Sequence, residues 1–512
     1  MKQTFGVDYF DAKRGVRTPV IQDTSQLING HTLILGASGV GKSVTLRSMI
    51  RQAVESIQAT GQKARIHIFD VHGDLEIAGA SVVHYSETSP YGLNPFRVNP
   101  SPEYGGVRKA IQAFIRTVDQ ASRTPLGLKQ ESVIRELCLD VYRDFGFDPA
   151  DHTTWSVNAL ESRLVSGGTD NRIYLQVPFA EKDAARAANA RWSDQHKLWY
   201  VQTHQYTGDI TRFPPAFKAR TYPTLTDIVN YASQLHLERF LGSEQKAVRA
   251  LEHLNKVAKS FQARKLAFVK RQHHGEKYFD EGEEAALDEA RARFLEASKE
   301  YANAVISGRE LEQFTKYDSP ETLKSVITRL RNLDATGIYK DMLAPFDPSA
   351  PVWRYHLAAL SLEEKKMLVM FSLLRIFYDA VQRGPTKGVV EVVVIDELGS
   401  YGNAVSDDKG DGIIGTIARE ARKFGLALWA ANQSQDGVPD SLITSLGTKV
   451  LLGIDERYWQ DASKRLRVET NLLKFVTPWK TMAVQMKEAG KLSQRWRWVN
   501  IDDAFRHPSD IG

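Results

Sequence analysis

The chain has 512 residues, 42% of them hydrophobic and 25% charged, which excludes a disordered or fibrous polymer and leaves room for about two to four globular domains. Its one cysteine, Cys138, excludes an intramolecular disulfide and a cysteine-based zinc cluster, and reads as a small core residue in a reducing cytosol. A formal charge of +5 tolerates a polyanionic partner without demanding one; with no run near the roughly 18 apolar residues of a membrane helix and no signal-peptide core after Met1, a cytoplasmic chain reaching the inner membrane only through a partner is expected.

Residues 1–30 are polar with turn signals and predict an entry strand and a loop. The apolar run Thr32–Leu35 predicts a buried strand, and Ser43 to Ile50 carries apolar residues at helical spacing. Between them Gly36, Ala37, Ser38, Gly39, Val40, Gly41, Lys42 and Ser43 fit the G-x-x-x-x-G-K-[ST] phosphate loop. The glycines let the backbone wrap a phosphate with its N–H groups inward, and the helix that follows presents its positive end. Residues Gly36 through Val44 are therefore the expected nucleoside-triphosphate cradle, with Lys42 on the β- and γ-phosphates and the Ser43 hydroxyl on Mg²⁺.

Arg65 to Phe69 predicts a second strand, ending in Asp70, Val71, His72, Gly73 and Asp74. Asp70 there is either part of the site's framework or a loop cap. Ser89 to Phe96 is a turn-rich connector, and helices are expected near 103–121 and 128–146. Residues 170–218 break the pattern with a strand from Arg172 to Val177, a short helix from Glu181 to Ala190 and a strand from Lys197 to Val201. The segment is similar to a small uncharacterised domain of plasmid- and phage-associated proteins such as primases. Its Trp192, Trp199 and Tyr200 beside Arg191, Lys197 and Arg212 suit base stacking, but a fold of this size needs tryptophans as core, which is the preferred expectation.

From about 224 to 335 the pattern is helical. A basic arm (Lys256, Lys259, Arg264, Lys265, Lys270, Arg271, Lys277) precedes an acidic one that runs from Asp280 to Glu300, with Gly275 and Gly282 flanking the bend. An antiparallel hairpin whose arms neutralise each other is expected, and His273 and His274 are too sparse for a metal site. Val352 to Leu357 predicts a strand and a long amphipathic helix follows to about 382. The β-branched run Val389 to Ile395 requires a strand buried on both faces, so Asp396 at its end is the expected holder of Mg²⁺ and Glu397 the group that polarises the attacking water. Gly402 to Gly412 reads as a mobile acidic loop, Ile413 to Phe424 as a helix with Arg419, Arg422 and Lys423, and Leu426 to Ala431 as a buried strand. The strand end at Asn432, Gln433 and Ser434 can sense a γ-phosphate. A strand from Thr448 to Gly453 and a closing segment to about 500 complete the chain.

Taken in order, Gly36 to Ser43, Asp70 to Asp74, Ser89 to Phe96, Val393 to Glu397, Ala421 to Gly425 and Ala431 to Ser434 resemble the HerA and FtsK superfamily of motor ATPases, and most of all VirB4-type conjugation ATPases and HerA-type helicases. The resemblance covers about residues 30–165 and 220–500. It implies an α/β fold: a RecA-like P-loop ATPase core in two parts (1–165 and 346–512), interrupted by the small α+β module (170–218) and a helical, coiled-coil-like insertion (220–345). It also implies ATP and Mg²⁺ as cofactors, a hexameric ring, DNA as the partner, Gln433 as the sensor amide and Arg422 as a finger reaching the neighbouring subunit's site. The expected activity is an ATP-driven DNA motor in conjugative transfer, phage packaging or defence. A secretion ATPase energising a protein channel and a nucleotide-gated ring recruiting a nuclease are the alternatives. Only about 35 residues precede the loop, so neither the family's membrane helices nor its N-terminal barrel is expected.

Overall fold

The computed structural model of the chain describes residues 1–121, 124–157, 172–194, 197–202, 205–213, 221–241, 245–273, 281–304, 316–401, 412–435, 438, 440–491, 494–502 and 505–506. Two compact units result: Met1–Pro125 with Phe147–Thr224 and Thr336–Gly512, and Leu126–Gly146 with Leu225–Ala335.

The first unit is built on strands β1 (Lys2–Asp8), β2 (Pro19–Asp23), β3 (Thr32–Leu35), β4 (Arg65–Asp70) and β5 (Ser81–His84). After a small module holding β6 (Arg172–Leu175), β7 (Arg191–Ser193) and β8 (Leu198–Gln202), the large sheet resumes. Its later strands are β9 (Val352–His356), β10 (Glu391–Ile395), β11 (Leu426–Asn432), β12 (Thr448–Leu451), β13 (Thr481–Met486) and β14 (Trp496–Asn500). The order across the sheet is β2-β1-β14-β13-β12-β3-β11-β10-β4-β9-β5. From β12 to β5 every pairing is parallel; from β12 to β2 every pairing is antiparallel.

The central parallel strands β3, β10 and β11 are buried on both faces, which is why they read as nearly unbroken apolar runs. Ile34, Ile66, Ile68, Val392 and Val394 share one cluster with Leu46, Met49, Ile50 and Ala53 of the helix Lys42–Thr60. The alternate residues Leu33, Leu35, Phe69, Val393 and Ile395 are equally inaccessible. The antiparallel flank differs from expectation. Residues 1–30 form two strands rather than one, and the closing segment supplies two more. β1 pairs with β14 through Val7 and Asn500, a partnership spanning nearly the whole chain and invisible to local periodicity. β5 is only four residues long and half exposed, too short and too mixed to stand out.

Asp70 is resolved as a cap and a pin. Its carboxylate accepts the Gly73 N–H at 2.7 Å and the Leu75 N–H at 3.3 Å. Arg354 of β9 donates to it from Nε at 2.8 Å and pairs with it through Nη2 at 2.6 Å. Both partners are buried, so loss of either would strand a charge at a cost of about 3–5 kcal/mol.

In the small module β6-β8-β7 form an antiparallel sheet over a core of Leu175, Ala185, Ala190, Val201, Ile210 and Phe213. The second unit is helical, with Cys138 wholly buried and its thiol pKa pushed up by that burial. Its helices Gln245–His273 and Glu281–Ala304 run antiparallel: His253 meets Glu300 at 3.1 Å and Phe261 stacks on Phe294 with centroids 5.8 Å apart. Among the described residues Lys256, Lys259 and Lys265 form no ion pair with the acidic arm. The expected loop Gly402 to Gly412 lies, up to residue 411, outside the described residues, as do His274, Gly275 and Lys277. Among the described residues no helix is long and apolar enough to cross a membrane, and no group of three His, Cys, Asp or Glu side chains could hold a metal ion.

At the N-terminal end of β3 the wholly buried His31 accepts the Leu428 N–H on Nδ1 at 2.9 Å. Burial, reinforced by the charge of Arg422, lowers its pKa from 6.5 to about 4. Between those values the unfolded chain binds a proton that the native chain refuses, so stability present above pH 6.5 falls with falling pH. The expected loss is about 2 kcal/mol between pH 7 and pH 5, read as a shift in the urea midpoint that shrinks in His31→Gln.

Candidate nucleotide site

Parallel register brings the sequence-predicted residues to one edge. Phe69, Ile395 and Ala430 lie level across β4, β10 and β11, and Asn432 is level with Leu35 of β3. Immediately beyond that line stand His72, Asp396, Glu397, Gln433 and Gly36.

The loop Gly36 to Gly41 is tied at its entry by two backbone bonds, Gly36 N–H to Asn432 O at 3.1 Å and Ala37 N–H to Gly453 O at 2.8 Å. From Ser38 to Ser43 no backbone N–H donates to a described acceptor. Gly41 adopts φ +100°, which a side chain resists. It is also the N-cap of the helix Lys42–Thr60 and offers no side-chain cap, so the positive helix end is open to an anion. A Cβ on Gly36 would sit 2.6 Å from Val40 Cγ2 and 3.1 Å from Leu452 Cβ. Free N–H groups, a backbone only glycine adopts and an uncapped helix end fit a phosphate chain. Lys42 folds back and donates from Nζ to Ala37 O at 3.1 Å.

Asp396 ends β10 and is buried, with Oδ1 accepting the Glu397 N–H at 2.9 Å. Burial and then the nearby charge of Asp74 raise its pKa, against the opposing effect of the Glu397 N–H and the charges of His72 and Lys42. A buried carboxylate short of positive charge, on the same edge as the Ser43 hydroxyl, fits a divalent cation. Glu397 takes left-handed backbone, φ +55°, a strain of about 1–3 kcal/mol for a side chain of this kind. Its carboxylate is held from both sides: Gln433 Nε2 donates to Oε1 at 3.0 Å, and His72 Nε2 lies 3.4 Å from Oε2. Behind it Asn432 accepts the Gly399 N–H at 2.9 Å and donates to Ser434 O at 2.8 Å, fixing the turn that carries Glu397.

Two residues were missed in the sequence. His72 stood inside a quoted segment without a role, since its value comes from β4 lying beside β10. Trp479 had no signal at all. Its indole Nε1 donates to Gly39 O at 2.9 Å, its ring lies 3.6 Å from the position of a Cβ on Gly41, and Arg506 sits over the ring at 5.1 Å. A residue 440 positions away thus braces the phosphate loop.

Arg422 is not at this edge. It lies in the turn Ala421–Phe424 that enters β11, at the end of the sheet that holds His31. The seven residues of β11 put roughly 20 Å between that end and the loop. The guanidinium is exposed and makes no hydrogen bond or ion pair with a described residue.

Comparison with known proteins bears on the fold. Residues 12–105 match the family model of the helicase HerA central domain, and residues 172–215 match DUF5710, a domain of unknown function. The VirB4 structure of Thermoanaerobacter pseudethanolicus superposes on the whole chain with a TM-score of 0.55 at 12% identity, covering 98% of that protein. The bacterial conjugative coupling protein TrwB, without its first 70 residues, aligns over 98% of this chain and 94% of its own at 12% identity and a TM-score of 0.42. DNA primase TraC of Escherichia coli is 31% identical over 88 residues, which span 14% of this chain and 8% of the primase. The expected resemblance and α/β fold therefore hold: residues 12–105 are similar to the HerA central domain, and the chain has the fold of VirB4.

The Trp479 brace is testable without any ligand. Removing one hydrogen bond of about 1 kcal/mol in Trp479→Ala is expected to speed exchange of the hydrogen-bonded Gly36, Ala37 and Thr45 amides about fivefold, measured by mass spectrometry. Unchanged exchange would show that the ring does not hold the loop.

Proposed function

We propose that this protein is an oligomeric motor, built on a HerA/VirB4-type P-loop ATPase core, that hydrolyses ATP to translocate DNA in a conjugation-related setting. The observation that carries the reading is the division of the site: the phosphate loop, Asp396, Glu397 and Gln433 share one edge of the sheet, while Arg422 stands at the other. A lone copy cannot bring Arg422 to its own nucleotide. In a ring, the exposed arginine of one copy reaches the phosphates held by the next. The match of residues 12–105 to a helicase domain and the positive net charge support DNA as the cargo.

Each residue then has a task. The N–H groups of residues 38–43 and Lys42 bind and orient the β- and γ-phosphates. Ser43 and Asp396 hold Mg²⁺, which when bound neutralises charge on the phosphate oxygens. Glu397 orients water for in-line attack on the γ-phosphorus and polarises it, while the bond to ADP breaks. Gln433 and His72 position the Glu397 carboxylate, and Gln433 reports the state of the γ-phosphate to β11. Arg422 from the neighbour stabilises the transferring phosphoryl group.

Lys42→Ala is expected to abolish tight binding of a fluorescent ATP analogue, whereas Glu397→Gln binds it and loses about 10²–10³-fold in turnover. Arg422→Ala alone is expected to lose about 10³-fold and to regain activity when mixed with Glu397→Gln, because mixed neighbours restore one complete site. No regain at any mixing ratio would contradict an arginine acting in trans. For the cargo, ATP turnover is expected to rise on adding DNA and to lose that stimulation between about 50 and 200 mM salt. Turnover indifferent to DNA would replace this reading with an ATPase that energises a protein channel.

A further inference from the structure

The module at residues 172–213 does not use its aromatic side chains as sequence reasoning expects. Its core closes on Leu175, Ala185, Ala190, Val201, Ile210 and Phe213, with Trp199 only partly buried against it. Phe179 is 85% exposed and Trp192 45% exposed. Both line a concave groove of about 390 Å³, together with Trp199. Large rings left in water by a small fold that needs core are poorly explained by stability.

The charge of the groove is one-sided. Lys182, Arg186 and Lys197 line it, and among the described residues no carboxylate does. Lys182 Nζ sits 4.7 Å from the Phe179 ring centre, and the Arg186 guanidinium 5.6 Å from that of Trp199. The nearby acids lie outside the lining. Asp183 is 3.9 Å from Arg186, and Asp194 is 4.0 Å from Lys197. Asp194 also accepts the Trp192 indole N–H at 3.1 Å, which holds that ring in place. Trp192 and Trp199 meet at 67° with centres 5.6 Å apart, so the two rings do not stack face to face on each other.

Flat apolar faces interleaved with cations, in a groove without acids, match a ligand whose flat rings alternate with phosphates. We propose that this groove binds single-stranded nucleic acid, with bases stacked on Phe179 and Trp192 and phosphates against Lys182, Arg186 and Lys197. A duplex keeps its base faces covered and offers only phosphates. The site involves neither the phosphate loop nor ATP, and stands whether or not the core moves DNA.

The test uses the full chain without nucleotide. A fluorescein-labelled oligothymidylate of about 12 nucleotides is titrated by anisotropy, alongside a duplex of the same length and a strand of the same phosphates with abasic sites. Tighter binding of the oligothymidylate is expected, with about tenfold or greater weakening in each of Phe179→Ala and Trp192→Ala and substantial recovery in Trp192→Phe. Since both rings lie outside the module's core, folding is checked by circular dichroism. A 5-iodouracil strand is expected to cross-link within residues 172–213. Equal binding of abasic and base-bearing strands, or cross-links confined to the ATPase core, would overturn the proposal. Loss of DNA-stimulated turnover with the cross-link intact would instead count against the motor reading alone.

Discussion

The register of the parallel strands is the constraint on which the site depends. Ile395 lies opposite both Phe69 and Ala430, and Asn432 lies opposite Leu35. Side chains alternate between faces, so slipping β10 by one residue would turn Val392 and Val394 away from the helix Lys42–Thr60 and carry Glu397 out of reach of Gln433. Packing therefore enforces the chemistry. The apolar residues that fill both faces are also the ruler that sets carboxylate, amide and phosphate loop at one height.

A second constraint acts from outside that central group. The buried Asp70–Arg354 pair joins the end of β4 to β9, and its spare carboxylate capacity closes the turn through Gly73 and Leu75. That turn carries His72 to Glu397. A pair that adds little net stability over an apolar substitute still earns its place by fixing a turn whose side chain orients another residue. Lys365 adds to the same turn by donating to Val71 O at 2.9 Å.

Legibility in the sequence followed the range of the interaction. β3, β10 and β11 were visible because burial on both faces leaves a local mark, an unbroken apolar run. The phosphate loop, Asp396 and Glu397 were visible because each follows directly on such a run. The antiparallel flank was hidden: β14 exposes Trp496 and Arg497 in part, and β1 needs β14, nearly the whole chain away. His72 and Trp479 were hidden for the same reason, since neither acts on its own neighbourhood. The tryptophans of the small module were misjudged on a sound premise, that small folds need large core residues. There aliphatic residues and Phe213 fill the core, leaving Trp192 outside it.

The electrostatics of the two sheet ends point the same way as the geometry. At the phosphate-loop end Asp396 is buried beside Asp74 and held above its ordinary pKa, with positive charge from Lys42 and His72 offsetting only part of that rise. At the opposite end His31 is held neutral by burial and by Arg422, and Arg422 meets no described carboxylate. One end holds a buried carboxylate whose burial is only partly offset, and the other an exposed arginine with no ion pair among the described residues. Within a single copy the sheet keeps these ends apart, because β11 is a rigid spacer of seven buried residues. The ring proposed above would bring the two ends together by a head-to-tail, heterologous contact between identical copies. The same strand that separates Arg422 from its own phosphate loop is followed directly by Gln433, which donates to Glu397. In the proposed ring, a displacement of β11 would reach the copy's own Glu397 through the Gln433 hydrogen bond.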